Sequence, residues 1–232
     1  MLADTHVHFD GWDSEEEIRA VVDRARAAGV RRMIAVGGSP RGNAVACDCA
    51  GRFGDAVFAA VGYDRYRAGE NEPDAELNRM LAGRRIVAVG EIGLDFHHQP
   101  ETKAQQQTLF LAMLEVARQH ERPVIVHCRE SEDAVLEALR EHVRLRKGAA
   151  DRVGVLHCFT GTADFARRVL DIGLFISFSG ILTFRNADAL RAVAKTVPED
   201  RLLAETDSPY LAPVPLRGTK NEPANVGLVV QA

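Results

Sequence analysis

The sequence predicts an α/β fold in which eight parallel strands close into a barrel, and three observations support it. Short apolar runs alternate with amphipathic segments along the whole chain. The apolar runs are nearly continuous, as expected of parallel strands that are buried on both faces. Their number is eight, which favours a closed (β/α)8, or TIM-type, barrel over an open doubly wound sheet. Because no linker-like change of composition divides the 232 residues, we expect a single domain over 1–232.

The elements follow from hydrophobic periodicity. Short apolar runs that end at glycine or at polar residues predict strands. The predicted strands are 1–9, 31–37, 56–62, 86–91, 123–127, 153–157, 174–178 and 201–206. Apolar stripes with a period near 3.6 residues predict helices between them. The predicted helices are 14–28, 42–52, 71–81, 101–120, 131–146, 162–171 and 186–196.

Local signals mark the ends of several helices. Ser14 and Glu17 have the spacing of a capping box, and Gly29 stands where the first helix should stop. Pro73 lies early in the third helix, where a missing N–H is tolerated. Gly148 is expected to end the fifth helix.

Composition and charge indicate an ordinary globular chain. Hydrophobic residues make up 46% and charged residues 27% of the sequence. The net charge of -4 gives no overall attraction to nucleic acid, so an anionic substrate would need a local positive group. The chain has no long apolar run and no signal-peptide pattern, and its four cysteines do not resemble a disulfide framework. We expect a cytoplasmic protein with no membrane partner, and the sequence indicates no obligate protein partner.

The first strand carries two histidines, His6 and His8. Side chains two apart on a strand share one face, so the two imidazoles lie side by side. Such a pair is costly in an apolar core because each ring needs polar partners, whereas neutral imidazole is the commonest metal ligand. The remaining histidines outside the strands are expected at the surface; they are His97, His98, His120 and His142.

Other polar residues fall at the ends of other predicted strands. Glu91 ends the fourth strand, His127 the fifth and His157 the sixth, while Asp207 follows the eighth. In a barrel these ends meet at one face, where barrel enzymes build their active sites. Singly, each residue could be an ion-pair partner, a core histidine or a helix cap. Together with the histidine pair of the first strand, they predict a metal centre.

The number of candidate ligands predicts two ions. A catalytic zinc usually takes three protein ligands and keeps one position open, so six ligands suit a pair of ions. We expect Glu91 to bridge the pair, because a carboxylate offers two oxygens. One ion would be held by His6, His8 and Asp207, and the other by His127 and His157. Imidazole suits zinc, while carboxylates also admit manganese or magnesium.

Six stretches of the chain form a set of motifs that spans nearly its whole length: 4–10, 90–95, 123–129, 156–161, 205–213 and 217–223. In content and order they resemble the TatD-like metal-dependent deoxyribonuclease family of amidohydrolase-type barrels. The resemblance implies a TIM-type barrel, divalent ions and hydrolysis of phosphodiester bonds in DNA, as a 3′–5′ exonuclease acting on single-stranded ends. The ligand positions of the family correspond to the six residues already chosen.

Two departures from the family pattern stand out. The family carries a Gly-x-His-Pro-His stretch after the third strand, whereas this chain has Gly62-Tyr-Asp-Arg-Tyr66. Asp64 would replace a histidine as an acceptor and Arg65 would contact phosphate, or the two would form a solvated loop pair. Relatives also continue for about another helix, so we expect the final helix, which starts near Val226, to be truncated at Ala232.

Three residues receive roles in a water-mediated hydrolysis. Asp207 is expected to accept the proton of the attacking water. Arg129 shares a strand face with His127 and is expected to bind phosphate through its planar fork, with a salt bridge to Glu205 or Glu91 as the alternative. Glu205 is expected to orient a histidine ligand from behind.

Two other functions stay open at this point. The same metal centre could attack a carbonyl, so the substrate could be an ester, amide or lactone, for example an aminoacyl ester. The chain could also be a non-catalytic metal-binding barrel, although side chains competent to bind a metal fill all six ligand positions. The changed 62–66 stretch keeps the first alternative open.

Overall fold

The computed structural model describes residues 1–70, 73–146 and 153–232. Within these ranges eight strands form one sheet in sequence order, and each neighbouring pair is parallel. The strands are β1 (Leu2–Val7), β2 (Val30–Gly38), β3 (Val57–Tyr63), β4 (Ile86–Asp95), β5 (Val124–Arg129), β6 (Gly154–Leu156), β7 (Phe175–Phe178) and β8 (Leu202–Ala204). The helices are α1 (Glu15–Ala27), α2 (Pro40–Arg52), α3 (Ala75–Leu81), α4 (Lys103–Gln119), α5 (Glu132–Leu145), α6 (Ala163–Asp171), α7 (Asp188–Ala194) and α8 (Val226–Val230). The predicted fold class is therefore confirmed.

The sheet closes where the start of the chain meets the segment after β8. Val7 forms a parallel bridge with Ser208, and the N–H of His8 donates to the carbonyl of Ser208 at 2.8 Å. Deeper in the same seam, the buried carboxylate of Asp4 accepts the backbone N–H of Thr206 at 2.9 Å and its hydroxyl at 2.6 Å. These bonds join the first and last strands of the barrel.

Some local predictions can be compared with the helix ends. The side chain of Ser14 accepts the N–H of Glu17 at 3.2 Å at the start of α1, so the predicted cap is confirmed. α3 begins at Ala75 with Asp74 as its N-cap, so the prediction that Pro73 lies within the helix is wrong. The predicted helix residues Asn71 and Glu72 and the predicted stop at Gly148 lie outside the described residues.

Among the described residues, two apolar clusters form the core of the barrel. The larger one joins the strands to the surrounding helices. The smaller one takes one residue from each of β2 to β6, and we place it inside the barrel because these residues share strand faces with the polar site. Ile125 precedes His127 by two residues, and Val155 precedes His157 by two. The smaller cluster consists of Val36, Ala60, Ala88, Ile125 and Val155.

β4 differs from its prediction, because it continues beyond Glu91 to Asp95. The extension pairs with β5, where Gly93 lies opposite His127 and Asp95 lies opposite Arg129. Gly93 has a φ of +136°, and a Cβ there would lie 2.1 Å from the carbonyl oxygen of His127. Only glycine allows this approach, which brings β4 and β5 together beside the polar site.

The surface assignment of His142 is wrong. Its side chain is fully buried between α4 and α5, and Nδ1 accepts a hydrogen bond from Arg118 at 3.2 Å. The four cysteines are free. None of the helices in the described ranges combines the length and the apolar character needed to cross a bilayer.

Candidate metal centre

A cavity of about 620 Å³ opens at the carboxyl ends of the strands. Most of the predicted ligands line it because they stand at these ends: after β1, in β4 and β5, after β6 and after β8. His6 is fully buried beneath them. The predicted ligands that line the cavity are His8, Glu91, His127, His157 and Asp207.

Glu91 lies between two groups of imidazoles. Its Oε2 is 3.6 Å from Nε2 of His6 and 3.5 Å from Nε2 of His8. Its Oε1 is 3.3 Å from Nδ1 of His127 and 3.5 Å from Nε2 of His157. The side chain of Glu91 is only 4% exposed. Each oxygen of this buried carboxylate therefore faces its own pair of histidines, which is the geometry expected of a bridging ligand.

The first group consists of His6, His8 and Asp207. Oδ1 of Asp207 is 3.5 Å from Nε2 of His8 and 3.9 Å from Nε2 of His6. The two Nε2 atoms of the histidines are 3.0 Å apart. Two ring nitrogens this close need a proton or a cation between them, because two lone pairs would repel each other.

The second group consists of Glu91, His127 and His157. Nε2 of His157 is buried and has no hydrogen-bond partner among the described residues. Its Nδ1 is 3.2 Å from Oε1 of Glu205, which also accepts the N–H of Cys158 at 2.7 Å. If Nδ1–H donates to this carboxylate, Nε2 presents a lone pair towards Glu91, as in a metal-binding imidazole. This buried nitrogen, together with the mixed imidazole and carboxylate donors, fits a divalent ion.

A third group of possible ligand atoms contains His6, His157 and Glu205. Because Glu205 faces Nδ1 of His157 rather than Nε2, it lies behind the ring and not on the Glu91 side. The structure therefore places Glu205 where it can orient a ligand.

Asp95 contacts His127 on the side of the ring that faces away from Glu91. This residue was not among the predicted site residues. Its Oδ2 is 3.1 Å from Nε2 of His127 and 2.8 Å from Nδ1 of His98. His98, whose side chain is 58% exposed, also lines the cavity. Glu91, Gly93 and Asp95 alternate along β4, so a period of two could have identified this carboxylate.

Arg65 enters the site from the segment after β3. It forms an ion pair with Oε1 of Glu91, and its side chain is only 14% exposed. The guanidinium carbon lies 4.6 Å from the centre of the Tyr66 ring. For Arg65 the solvated-loop alternative is therefore wrong, because the side chain is enclosed in the centre.

Opposite charges in the centre stabilise the charged forms of Glu91 and His157 although both residues are buried. Burial would raise the pKa of Glu91, but Arg65 and His157 hold that pKa well below its ordinary value. Burial would lower the pKa of His157, but Glu91 and Glu205 raise it to about 10. These carboxylates thus favour positive charge at His157, whereas burial holds the pKa of His6 and the pKa of His127 below their ordinary value.

Arg129 lies at the rim of the cavity and is exposed. Among the described residues it makes no ion pair with Glu205 or Glu91, so the alternative salt bridge is not formed. Tyr210 lines the same rim, and its side chain is 60% exposed. Arg129 and Tyr210 therefore present a guanidinium and an aromatic ring at the rim.

The sequence is similar to known proteins over almost its whole length. The family described as TatD related DNase matches residues 3–232. The metal-dependent hydrolase YcfH of Escherichia coli (strain K12) is 44% identical over 231 residues, which cover 97% of this chain and 84% of the relative. The 3′-5′ ssDNA/RNA exonuclease TatD of Edwardsiella piscicida is 37% identical over 230 residues, which cover 96% of this chain and 86% of the relative.

Solved structures lead to the same family. YJJV, a TatD homologue from Escherichia coli K12, superimposes with a TM-score of 0.86 at 29% identity, and the match covers 99% of this chain and 88% of that chain. Three observations support the same family: the barrel fold, the polar residues at the strand ends and the length of the matches. The chain therefore belongs to the TatD related DNase family of metal-dependent hydrolases.

Proposed function

We propose that this protein removes nucleotides from the 3′ ends of single-stranded DNA by hydrolysing phosphodiester bonds at a centre of two divalent ions. The observation that carries the proposal is the position of Glu91, whose two oxygens face separate pairs of histidines. The relative named as a 3′-5′ ssDNA/RNA exonuclease, 37% identical, supports this choice of substrate.

Two ions would be held by these side chains at two positions. Position 1 comprises His6, His8, Asp207 and Oε2 of Glu91, and position 2 comprises His127, His157 and Oε1 of Glu91. These donors suit zinc, manganese or magnesium. When bound, the ions supply Lewis acidity that makes water acidic enough to ionise near neutral pH and offsets charge on the phosphoryl oxygens.

The other residues position the reacting groups. Asp207, whose side chain is 14% exposed at the cavity wall, accepts the proton of the attacking water. Arg129 binds a phosphate oxygen pair at the rim through its planar fork. Glu205 fixes the ring of His157 from behind, and Asp95 does the same for His127. We further propose that the protein works in the cytoplasm, where its four free cysteines would stay reduced.

The test is the shortening of a single-stranded DNA oligomer with Mn²⁺, in the presence and absence of a chelator. With a label at the 5′ end, we expect a ladder of progressively shorter strands; with a label at the 3′ end, we expect early release of labelled mononucleotide. Excess chelator should abolish both.

A second candidate substrate is a carbonyl ester, amide or lactone. The observation that favours it is Arg65, which replaces part of the histidine stretch of the family and forms an ion pair with Glu91 at the cavity wall. A panel of small esters and lactones is therefore assayed beside the oligomer. Hydrolysis of the panel without DNA shortening, by protein shown to contain metal, would overturn the nuclease proposal.

A further inference from the structure

We propose that Arg65 is a built-in positive charge that makes the two ion positions unequal, so that position 1 fills first and position 2 binds its ion more weakly. This inference rests on the proposed metal centre. It concerns the order and strength of metal loading, which can be measured without any substrate.

The guanidinium makes its hydrogen bond to one of the two carboxylate oxygens of Glu91. Nη1 of Arg65 pairs with Oε1 of Glu91, the oxygen that faces His127 at 3.3 Å and His157 at 3.5 Å. Oε2 of Glu91, which belongs to position 1, faces His6 and His8 instead. The charge of Arg65 is therefore directed at position 2.

The segment that carries Arg65 is fixed to the barrel. Asp64 caps the short 3-10 helix Arg65–Arg67 by accepting the N–H of Tyr66 at 2.9 Å. The N–H of Asp64 donates to the carbonyl of Gly38 at 2.9 Å. The guanidinium stacks on Tyr66, and Nε lies 3.8 Å from Oδ2 of Asp95. These contacts hold the cation at Glu91 rather than in solvent.

Electrostatics gives the direction of the effect. A guanidinium stays charged at any pH that a folded protein tolerates, so it cannot yield to a metal ion by losing a proton. An ion at position 2 must either displace Arg65 from Oε1 of Glu91 or bind beside it, and repulsion between like charges is strong in a buried site. We expect the affinity of position 2 for Mn²⁺ to be at least about tenfold below that of position 1.

The experiment is a Mn²⁺ titration of the whole protein, followed by calorimetry and by electron paramagnetic resonance. The variants are Arg65→Met, which removes the charge, Arg65→Gln, a second neutral replacement, and Arg65→Lys, which keeps a charge. The matched control is Arg67→Met, because Arg67 lies in the same short helix but pairs with Glu70 at 2.7 Å. Circular dichroism and thermal melting verify that each variant is folded.

We expect the original protein and the Arg67 variant to show one tight site, and an exchange-coupled manganese signal only at excess metal. The neutral Arg65 variants should bind the second ion about tenfold more tightly than the original protein and show the coupled signal at a smaller excess of metal, while Arg65→Lys should stay closer to the original. Position 1 keeps its additional donor, Asp207, in every variant. Two equal sites in the original protein, or unchanged binding in both folded neutral variants, would overturn the inference but leave the metal centre standing. No manganese binding to any variant would overturn the proposed centre as well.

Discussion

Oε1 of Glu205 lies 3.2 Å from Nδ1 of His157, on the opposite side of the imidazole ring from Glu91. The same oxygen accepts the N–H of Cys158 at 2.7 Å, so the carboxylate is fixed in turn by the backbone. This arrangement sets both the tautomer and the orientation of His157. A charge buried behind the ring therefore controls how the histidine presents Nε2 to the centre.

Replacing Glu205 by glutamine should weaken metal binding. Glutamine keeps an acceptor for the Cys158 N–H but removes the charge that polarises His157, and loss of such a partner typically costs about 10–100-fold in metal affinity. Mn²⁺ titration calorimetry measures the change. Glu130→Gln is the control, because Glu130 pairs with the exposed His97. Equal affinities for both variants would contradict this role of Glu205.

Arg129→Met should weaken substrate binding and leave metal binding unchanged. The loss of charge-assisted hydrogen bonds to phosphate should raise KM for an oligonucleotide at least about tenfold. One lost phosphate contact should also make the slope of log affinity against log salt shallower by about 0.7 for a single strand. Arg140→Met, on the outer side of the barrel in α5, serves as the control. An unchanged KM and salt slope would exclude a phosphate contact.

Thr206→Val should destabilise the barrel seam. Valine has nearly the shape of threonine but cannot donate to the buried carboxylate of Asp4, so the free energy of unfolding should fall by about 1–3 kcal/mol. A lower urea midpoint at constant m value would demonstrate it. Thr108→Val, at an exposed position of α4, should change stability by less than about 0.5 kcal/mol. Similar small effects for both variants would show that the seam does not depend on this bond.

The buried His142 should make stability depend on pH. Burial is the main cause that lowers the pKa of His142, and the positive charges of Arg118 and Arg146 lower it further. Although the negative charge of Glu115 opposes them, the pKa falls from 6.5 to about 4. The unfolded chain therefore binds the proton more readily, and the stabilisation is complete above pH 6.5 and is lost as pH falls towards 4. The loss should reach about 3 kcal/mol. Urea titrations of the original protein and of His142→Gln measure it, and equal pH slopes between pH 6.5 and 4 would contradict the assignment.

The fold could be predicted because local signals and the global pattern agree. Each strand is a short apolar run bounded by turn or polar residues, and eight of them alternate with amphipathic helices. The length of β4 was missed because Gly93 weakens the strand pattern. The need for glycine at position 93 becomes clear only from the neighbouring strand, because the carbonyl of His127 leaves no room for a Cβ there. The burial of His142 was missed because a single histidine on an amphipathic helix does not reveal what packs against it.

The candidate ligands could be predicted from the position of each residue in its own strand. A barrel topology brings strand ends together, so no knowledge of distant contacts was required. Arg65 was different, because its side chain reaches Glu91 from a segment 26 residues earlier in the chain. Nothing in the local sequence distinguishes an arginine that points into the barrel from one in a solvated loop. Roles in catalysis remain predictions that the experiments above test.

The most direct test of the central claim, that Glu91 joins two ion positions into one hydrolytic centre, is the oligonucleotide assay on Glu91→Gln. Glutamine keeps the size of the side chain but not its charge. We predict that the variant folds but shortens single-stranded DNA more than about a hundredfold more slowly than the original protein. This loss exceeds the one expected for a residue, such as Glu205, that only orients a ligand. Chelator-sensitive shortening near the original rate would contradict the claim.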